Sequence, residues 1–132
     1  MRTIDWRDGR VVIFDQPRLP AALRTLEPSS VNDLVDAIAR LAVRGAPALG
    51  AAGALGVVLA VDQAEREGWD DARLVAQLAQ LRAARPTAVN LAWGIDRAAS
   101  RLTQGREAVL KEALAVLEED VVRVRNHAAK AI

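Results

Sequence analysis

Cysteine is absent from the 132-residue sequence, and histidine occurs once, as His127. Without cysteine, the chain can form no disulfide, no thiolate metal site and no cysteine nucleophile of its own. One imidazole cannot support a metal site built on histidines, so we expect no metal in this chain. No motif accompanies His127 that would make it a catalytic base, and we expect it at the surface or at a helix end.

An excess of charge of either sign is also missing. The 18 Lys and Arg residues nearly balance the 17 Asp and Glu residues, which leaves a formal net charge of +1 at pH 7. This balance gives no electrostatic case for a nucleic acid or an anionic membrane as a partner. The N-terminus has no apolar targeting core, and the apolar run over residues 46–61 is short for a bilayer and contains three glycines. We therefore expect a cytoplasmic protein without a membrane span.

Aromatic residues make up 3% of the sequence, whereas alanine, leucine, valine and arginine are abundant. This composition favours a helical protein, and 132 residues fit one domain. Residues 3–6 and 10–14 are predicted as short strands joined by an Asp8-Gly9 turn, and residues 23–27 alternate as a third strand would. The apolar character of the second strand predicts that both its faces are covered. The predicted fold is α+β and mostly helical, with a small antiparallel sheet of two or three N-terminal strands packed on a bundle of about five helices.

The first two helices follow from the spacing of apolar residues and from capping signals. The first is predicted over residues 31–43, with Ser30 as its N-cap and Asp33 as a weak capping-box partner. The second is predicted over residues 47–66 and closes at Gly68, because glycine takes the left-handed conformation at no steric cost.

Three more helices are predicted in the second half of the chain. The third follows a cap at Asp70 and ends near Ala84, and the fourth follows a cap at Thr87 and ends at Gly105. The fifth carries a stripe that we interpret as core-facing, with a coiled-coil seam as the weaker alternative: Leu110, Leu114, Leu117, Val121, Val124 and Ala128. This pattern reaches the last residue without a glycine or proline stop. We therefore expect the front part of a longer protein, and a natural C-terminal helix that frays is the alternative.

The stretch Arg44-Gly45-Ala46-Pro47-Ala48-Leu49-Gly50 joins the first two predicted helices. Gly45 can end a helix, and Pro47 biases Ala46 away from helical dihedrals while being tolerated in the first turn of a new helix. The new helix would direct its free N–H groups and positive dipole end towards Arg44, which is a favourable place for a phosphate. The plainer interpretation, a turn between packed helices with a solvated Arg44, stays open.

A second break, Arg85-Pro86-Thr87, repeats this arrangement. An arginine again precedes a new helix, and Thr87 and Asn90 add a hydroxyl and an amide. Two such breaks could face each other and clamp one anion, since charge-assisted hydrogen bonds contribute about 1.5–3 kcal/mol each. Taken alone, a solvated Arg85 is the simpler interpretation.

Gly50, Gly53 and Gly56 recur every three residues in the second predicted helix. Each costs about 1 kcal/mol relative to alanine in a helix interior. A loss of this size indicates close approach by another backbone or by a ligand. Of these two, we favour tight helix–helix packing.

Three motifs follow one another along the chain: Arg2-Thr3-Ile4-Asp5-Trp6, Arg44-Gly45-Ala46-Pro47-Ala48-Leu49-Gly50 and Arg85-Pro86-Thr87-Ala88-Val89-Asn90-Leu91. Together they resemble the N-terminal domain of the methylthioribose-1-phosphate isomerase family, which acts in methionine salvage. The resemblance covers essentially the whole chain. The wider family includes ribose-1,5-bisphosphate isomerases and regulatory subunits of the eukaryotic initiation-factor exchange complex, which need not share the activity.

The resemblance implies that residues 1–132 form a substrate-contacting domain and that a larger Rossmann-like domain follows it. It implies isomerisation of 5-methylthioribose 1-phosphate to 5-methylthioribulose 1-phosphate without a cofactor, and a homodimer for the full-length protein. It places the substrate contacts on Arg44, Gly45, Ala46 and Arg85.

The family's catalytic pair, a cysteine and an aspartate, belongs to the second domain. We therefore assign no catalytic residue in this chain and expect it to be inactive alone. Two alternatives stay open. One is a non-catalytic phosphosugar or nucleotide sensor, as in the exchange-complex subunits, and the other is a helical interaction module that keeps the motifs only as turns.

Overall fold

The computed structural model describes residues 4–7, 9–15, 24–40 and 46–130. Its strands are β1 (Ile4–Arg7), β2 (Arg10–Asp15) and β3 (Arg24–Leu26). Its helices are α1 (Val31–Ala39), α2 (Ala46–Glu67), α3 (Asp71–Ala83), α4 (Val89–Ala99) and α5 (Arg106–Lys130), with a 3-10 turn at Leu102–Gln104. The predicted α+β, mostly helical fold is confirmed.

The sheet is antiparallel, with β2 between β1 and β3. Arg7 pairs with Arg10, so β1 and β2 are joined by two residues, and Gly9 has the positive φ of 75° that such a turn favours. Asp8, the other predicted turn residue, lies outside the described residues. Residues 11–13 are buried, which confirms that β2 is covered on both faces.

α2 is the helix on which the other elements pack. Every residue from 48 to 60 is buried, so more than three turns have no solvent-facing side. Alanine and glycine make up eight of these 13 residues, and their small side chains allow the other helices and β1 to reach the segment. Residues 48–67 are long and apolar enough to cross a membrane, but 78% of their most apolar window is buried inside the molecule, as expected of a core helix.

α4 crosses α2 at a contact made of glycines. A Cβ atom on Gly53 would lie 2.5 Å from the carbonyl oxygen of Leu91, and one on Gly94 would overlap the carbonyl group of Gly50. The two backbones therefore touch directly, which longer side chains would prevent. Gly56 leaves similar room for leucines of α1 and α3. The packing interpretation of the glycine series is confirmed, and Gly94 is a partner that the sequence pattern did not reveal.

The C-terminal part of α2 is polar and holds two other helices in place. The side-chain oxygen of the buried Gln63 accepts a hydrogen bond from the N–H of Val31 at 2.9 Å, at the start of α1. The Asp62 carboxylate accepts two hydrogen bonds from Arg106, at 2.7 and 3.1 Å, at the start of α5. This pairing raises the pKa of the Arg106 guanidinium above its ordinary value. One helix thus fixes where two others begin.

Side-chain caps begin α1 and α3 as predicted. The Ser30 hydroxyl oxygen accepts from the N–H of Asp33 at 3.1 Å, and the Asp70 carboxylate accepts from the N–H of Arg73 at 2.8 Å. The predicted capping box is wrong in one respect. The Asp33 carboxylate accepts from the N–H and hydroxyl of Ser29, one residue before the cap.

α1 is shorter than predicted, because it ends at Ala39 rather than near Val43. Arg40 leaves helical geometry with ψ of 6°, while its N–H still donates to the carbonyl oxygen of Asp36. Its guanidinium pairs with the Asp36 carboxylate at 3.0 Å, and this ion pair on the surface stabilises the last turn of α1. Residues 41–45 lie outside the described residues.

α4 ends at Ala99, and the predicted end at Gly105 is wrong. The Ser100 hydroxyl donates to the carbonyl oxygen of Arg97 at 2.7 Å, and such a local bond competes with continuation of the helix. Gly105, with φ of 100°, instead separates the 3-10 turn from α5.

The predicted core-facing stripe of α5 is confirmed at Leu117, which is buried, and at Leu110, which packs against the core, and it is wrong at Leu114. Leu114 is exposed and Leu110 is half-buried. The face that enters the core carries smaller side chains on average, namely Val109, Ala113, Val116 and Leu117. The later members of the stripe lie in the part of α5 whose side chains are outside the described set.

The glycine crossing predicts a sharp difference between two neighbouring substitutions. Gly53→Ala should destabilise the fold by about 1–3 kcal/mol, because its methyl group would push the α4 backbone away. Gly50→Ala is the matched control, since its methyl group would lie 3.4 Å from the Trp93 ring, an ordinary contact. Urea unfolding of both variants measures the difference. Equal stability of the two would contradict direct backbone contact at Gly53.

Candidate functional site

The structure describes two of the four predicted substrate contacts, Ala46 and Arg85. Ala46 is the first residue of α2, one position earlier than the predicted start at Pro47. Arg85 is half-buried in the turn between α3 and α4. Arg44 and Gly45 lie outside the described residues, so the sequence prediction for them stays a prediction.

The crossing of α2 and α4 brings these two helix starts to one side of the molecule. Gly50 contacts α4 at Asn90, Trp93 and Gly94, within the first two turns of both helices. Ala46 precedes Gly50 by four residues, about 6 Å along the helix axis. The N-terminal ends of α2 and α4 are therefore neighbours, as a clamp on one anion requires.

The start of α4 lacks the side-chain cap that α1 and α3 have. Its N-cap residue is Ala88, and no side-chain hydrogen bond caps the helix. The predicted cap by Thr87 is therefore wrong, and Thr87 is exposed instead. The backbone at this end bends through a bond from the N–H of Ala88 to the carbonyl oxygen of Arg85, at 2.9 Å. An uncapped first turn offers its N–H groups and the positive end of the dipole to an anion.

Arg85 differs from the other arginines whose side chains the structure describes. Carboxylates pair with most of them: Arg7, Arg10, Arg40, Arg82, Arg97, Arg101 and Arg106. Arg66 donates to the carbonyl oxygen of Ser29, and Arg73 stacks over Trp69. Within the described part of the chain, the Arg85 side chain makes none of these contacts. Its donors thus stay available to an outside anion beside the uncapped helix.

An ion pair joins the two helices on either side of the turn that holds Arg85. Arg82, near the end of α3, donates two hydrogen bonds to the carboxylate of Asp96 on α4. The hydrogen bond from Arg82 lowers the pKa of Asp96 below its ordinary value. Because the pair joins the two helices on either side of the turn, it limits how far that turn can open.

Metal binding finds no support in the described residues. They contain no group of three or more His, Asp or Glu side chains placed to hold a metal ion. A cleft of about 220 Å³ between β3 and α1 is lined by both acidic and basic side chains. Its acidic groups already have partners, since Glu27 pairs with Arg10, Asp36 with Arg40 and Asp33 with the Ser29 hydroxyl.

The sequence model of the initiation factor 2 subunit family matches residues 42–132 of this chain. The matched range includes α2 to α5 and the two stretches that begin at Arg44 and Arg85. The chain belongs to this family.

Proteins that are similar to this chain carry different functional names. A Nocardia farcinica protein described as a probable bifunctional methylthioribose-1-phosphate isomerase/methylthioribulose-1-phosphate dehydratase is 48% identical over 91% of this chain and 23% of its own length. A 5-deoxyribose 1-phosphate isomerase of Moorella thermoacetica is 42% identical over 92% of this chain and 38% of its own.

A solved structure, the translation initiation factor eIF-2B subunit delta from A. fulgidus, is also similar. It is 44% identical with a TM-score of 0.79, over 92% of this chain and 38% of its own. The chain therefore spans 23% to 38% of the length of these similar proteins.

The Arg82–Asp96 pair predicts a small stability effect that depends on pH. Asp96→Asn should cost less than about 1 kcal/mol at pH 7, because both side chains are largely exposed. The folded state lowers the pKa of Asp96, so the pair stabilises above the ordinary carboxyl range near about pH 4 and is lost as the pH falls below it. Urea unfolding midpoints of wild type and variant should therefore differ at pH 7, and this difference should shrink as the pH falls below about 4.

The partner variant supplies the control for this experiment. Arg82→Gln should lower stability at pH 7 by a similar amount, and the double variant should lose little more than either single variant. Two outcomes would contradict the described ion pair. One is a difference in unfolding midpoint between wild type and Asp96→Asn that is as large at pH 3 as at pH 7. The other is a loss of stability in the double variant equal to the sum of the two single losses.

Proposed function

We propose that this chain is the N-terminal, substrate-contacting domain of an isomerase that converts 5-methylthioribose 1-phosphate into 5-methylthioribulose 1-phosphate. The observation that carries the proposal is the unpaired Arg85 guanidinium beside the uncapped start of α4, next to the start of α2. A phosphate monoester has the charge and the acceptor oxygens that such a place favours. The similarity to sugar 1-phosphate isomerases supports the same substrate class.

Each part of this site has a binding role in the proposal. Arg85 and the N–H groups of α4 bind the phosphate from one side, and Arg44 with the backbone of Gly45 and Ala46 binds it from the other. Arginine keeps its proton at neutral pH, so these groups hold charge and do not transfer protons. They fix the substrate while other groups act on its sugar ring.

The reaction itself requires groups of another kind. The phosphate ester at C1 prevents the spontaneous ring opening of a free sugar, so an acid must protonate the ring oxygen as its bond to C1 breaks. The hydrogen on C2 then moves to the electron-poor C1 with its bonding electron pair, and a base removes the proton of the C2 hydroxyl, which becomes the ketone. We assign these steps to a cysteine and an aspartate on a following Rossmann-like domain, in a protein that forms a homodimer and needs no cofactor.

A second candidate function is a non-catalytic sensor of a sugar phosphate or nucleotide. The similarity to the initiation factor subunit of A. fulgidus favours it, because that protein is named for translation rather than metabolism. The same phosphate-binding helix starts would serve such a sensor. The two candidates differ in whether the bound ligand is converted.

Removal of the Arg85 guanidinium tests the phosphate site. Arg85→Ala in the complete protein should lower kcat/KM for 5-methylthioribose 1-phosphate about 10- to 150-fold, the equivalent of one or more charge-assisted hydrogen bonds. Arg85→Lys should recover part of the loss. Arg73→Ala is the matched control, because Arg73 lies in α3, the helix that ends at the site, and its guanidinium stacks on Trp69. An unchanged kcat/KM in Arg85→Ala would contradict the assignment of Arg85 to phosphate binding.

An assay of the 132-residue chain alone tests the proposal that this domain binds the substrate and a following domain carries out the reaction. The 132-residue chain alone should give no ketose phosphate from 5-methylthioribose 1-phosphate, whereas the complete protein should, as followed by ¹³C NMR of the ketone carbon. A complete protein that binds the sugar phosphate without converting it would favour the sensor. Intact mass of the native product provides a further check, since a mass near 14.2 kDa would contradict a two-domain enzyme.

A further inference from the structure

Trp93 is an exposed aromatic residue at the crossing of α2 and α4. It is 43% exposed, while Trp6 and Trp69 pack against the hydrophobic core. Val89, one turn earlier on α4, is 79% exposed. The two side chains form an apolar strip on the first two turns of α4, immediately after the turn that holds Arg85.

The Trp93 ring is held in position although it is exposed. Two of its ring carbons lie 3.4 Å from the place where a Gly50 side chain would begin, so the ring rests on the bare backbone of α2. The guanidinium of Arg97 lies 5.4 Å from the ring centroid. Such a cation–π contact, together with the backbone contact, restricts the rotamers of the indole.

Arg97 is itself fixed from α5. It donates to Glu112 at 2.6 Å and to both carboxylate oxygens of Glu119. These bonds raise the pKa of the Arg97 guanidinium, with Glu119 making the largest contribution. Three helices thus hold one solvent-facing indole, and a rigid aromatic surface loses little entropy when a ligand packs against it.

The location of this ring suits the sugar rather than the phosphate. Trp93 lies five residues after the N-cap residue Ala88, about 7.5 Å along the axis of α4. A phosphate at the helix start would leave the rest of a pentose to extend along the helix towards the indole. The far end of a pentose 1-phosphate is its 5-position, where the related sugar phosphates differ.

We propose that Trp93 reads the 5-substituent of the substrate and selects an apolar thioether group, an inference that rests on the proposed function. Sulfur makes favourable contacts with aromatic rings, and a methylthio group loses little by leaving water. The cation beside the ring, Arg97, is already paired with Glu112 and Glu119, so a phosphate at the 5-position would be desolvated here without gaining an ion pair of its own. Trp93 is then the specificity-determining residue for a 5-methylthio sugar over a 5-deoxy or 5-phosphorylated one.

The test compares two substrates in one variant of the complete protein. Trp93→Leu keeps an apolar side chain and removes the aromatic ring. It should lower kcat/KM about tenfold for 5-methylthioribose 1-phosphate and less than about threefold for 5-deoxyribose 1-phosphate. Val75→Ala, at an exposed valine of α3, is the control and should change neither value. Equal losses for both sugars would mean that Trp93 only supports the structure or a domain contact, and would overturn the proposal.

A binding measurement separates this proposal from the proposed function. Tryptophan fluorescence of the wild-type protein should change as 5-methylthioribose 1-phosphate is added, and the change should be absent in Trp93→Phe. If wild type converts neither sugar but still shows this difference, the isomerase function fails and the Trp93 site stands. If conversion is normal and the two proteins give the same fluorescence response, the Trp93 site fails and the isomerase function stands.

Discussion

The direct contact between the backbones of α2 and α4 determines much of this structure. Gly53 and Gly94 allow two helices to approach more closely than any side chain would permit. The same crossing brings Gly50 next to Asn90, within the first two turns of both helices, so packing and site geometry have the same origin. Two positive helix ends are brought together by apolar packing, and an anion between them would relieve their mutual repulsion.

Capping and ion pairing are distributed unevenly around this contact. Side chains cap α1 and α3, which begin away from the crossing, whereas α4 begins without a cap. Carboxylates hold Arg82 and Arg97, which flank the turn and the exposed indole, whereas Arg85 between them has no such partner among the described residues. Arg82 and Arg97 are thus held by carboxylates, whereas Arg85 and the N–H groups at the start of α4 keep hydrogen-bond donors for the proposed ligand.

The sequence predicted the fold well because its signals are local. Apolar spacing, Ser30, Asp70, Gly68 and the Asp8-Gly9 turn each act within a few residues, and the elements they predict were found. Predictions that depended on competition between local signals were less accurate. Thr87 could have capped α4 but did not, and Ser100 ended that helix earlier than Gly105 would have.

Features that depend on contacts between distant segments could not be read from the sequence. The series of glycines in α2 indicated a close approach, but nothing in the sequence named Gly94 as its partner. The leucine stripe of α5 was right at Leu117 but wrong at Leu114, because the buried face of the helix also includes Val109 and Ala113 and leaves Leu114 at its edge. The sequence likewise could not show that the Arg85 side chain lacks a partner among the described residues, because this depends on which carboxylates pair with the neighbouring arginines.

The complete burial of residues 48–60 has a consequence for how the domain folds. A helix rich in glycine has a weak intrinsic tendency to form, and every face of this one is covered by neighbouring elements. It should therefore be unstable when only some of those elements are in place. Its stability must come from α1, α3, α4, α5 and β1 acting together. The chain should therefore assemble in one cooperative step, so that damage far from the helix starts still reaches them through the shared central helix.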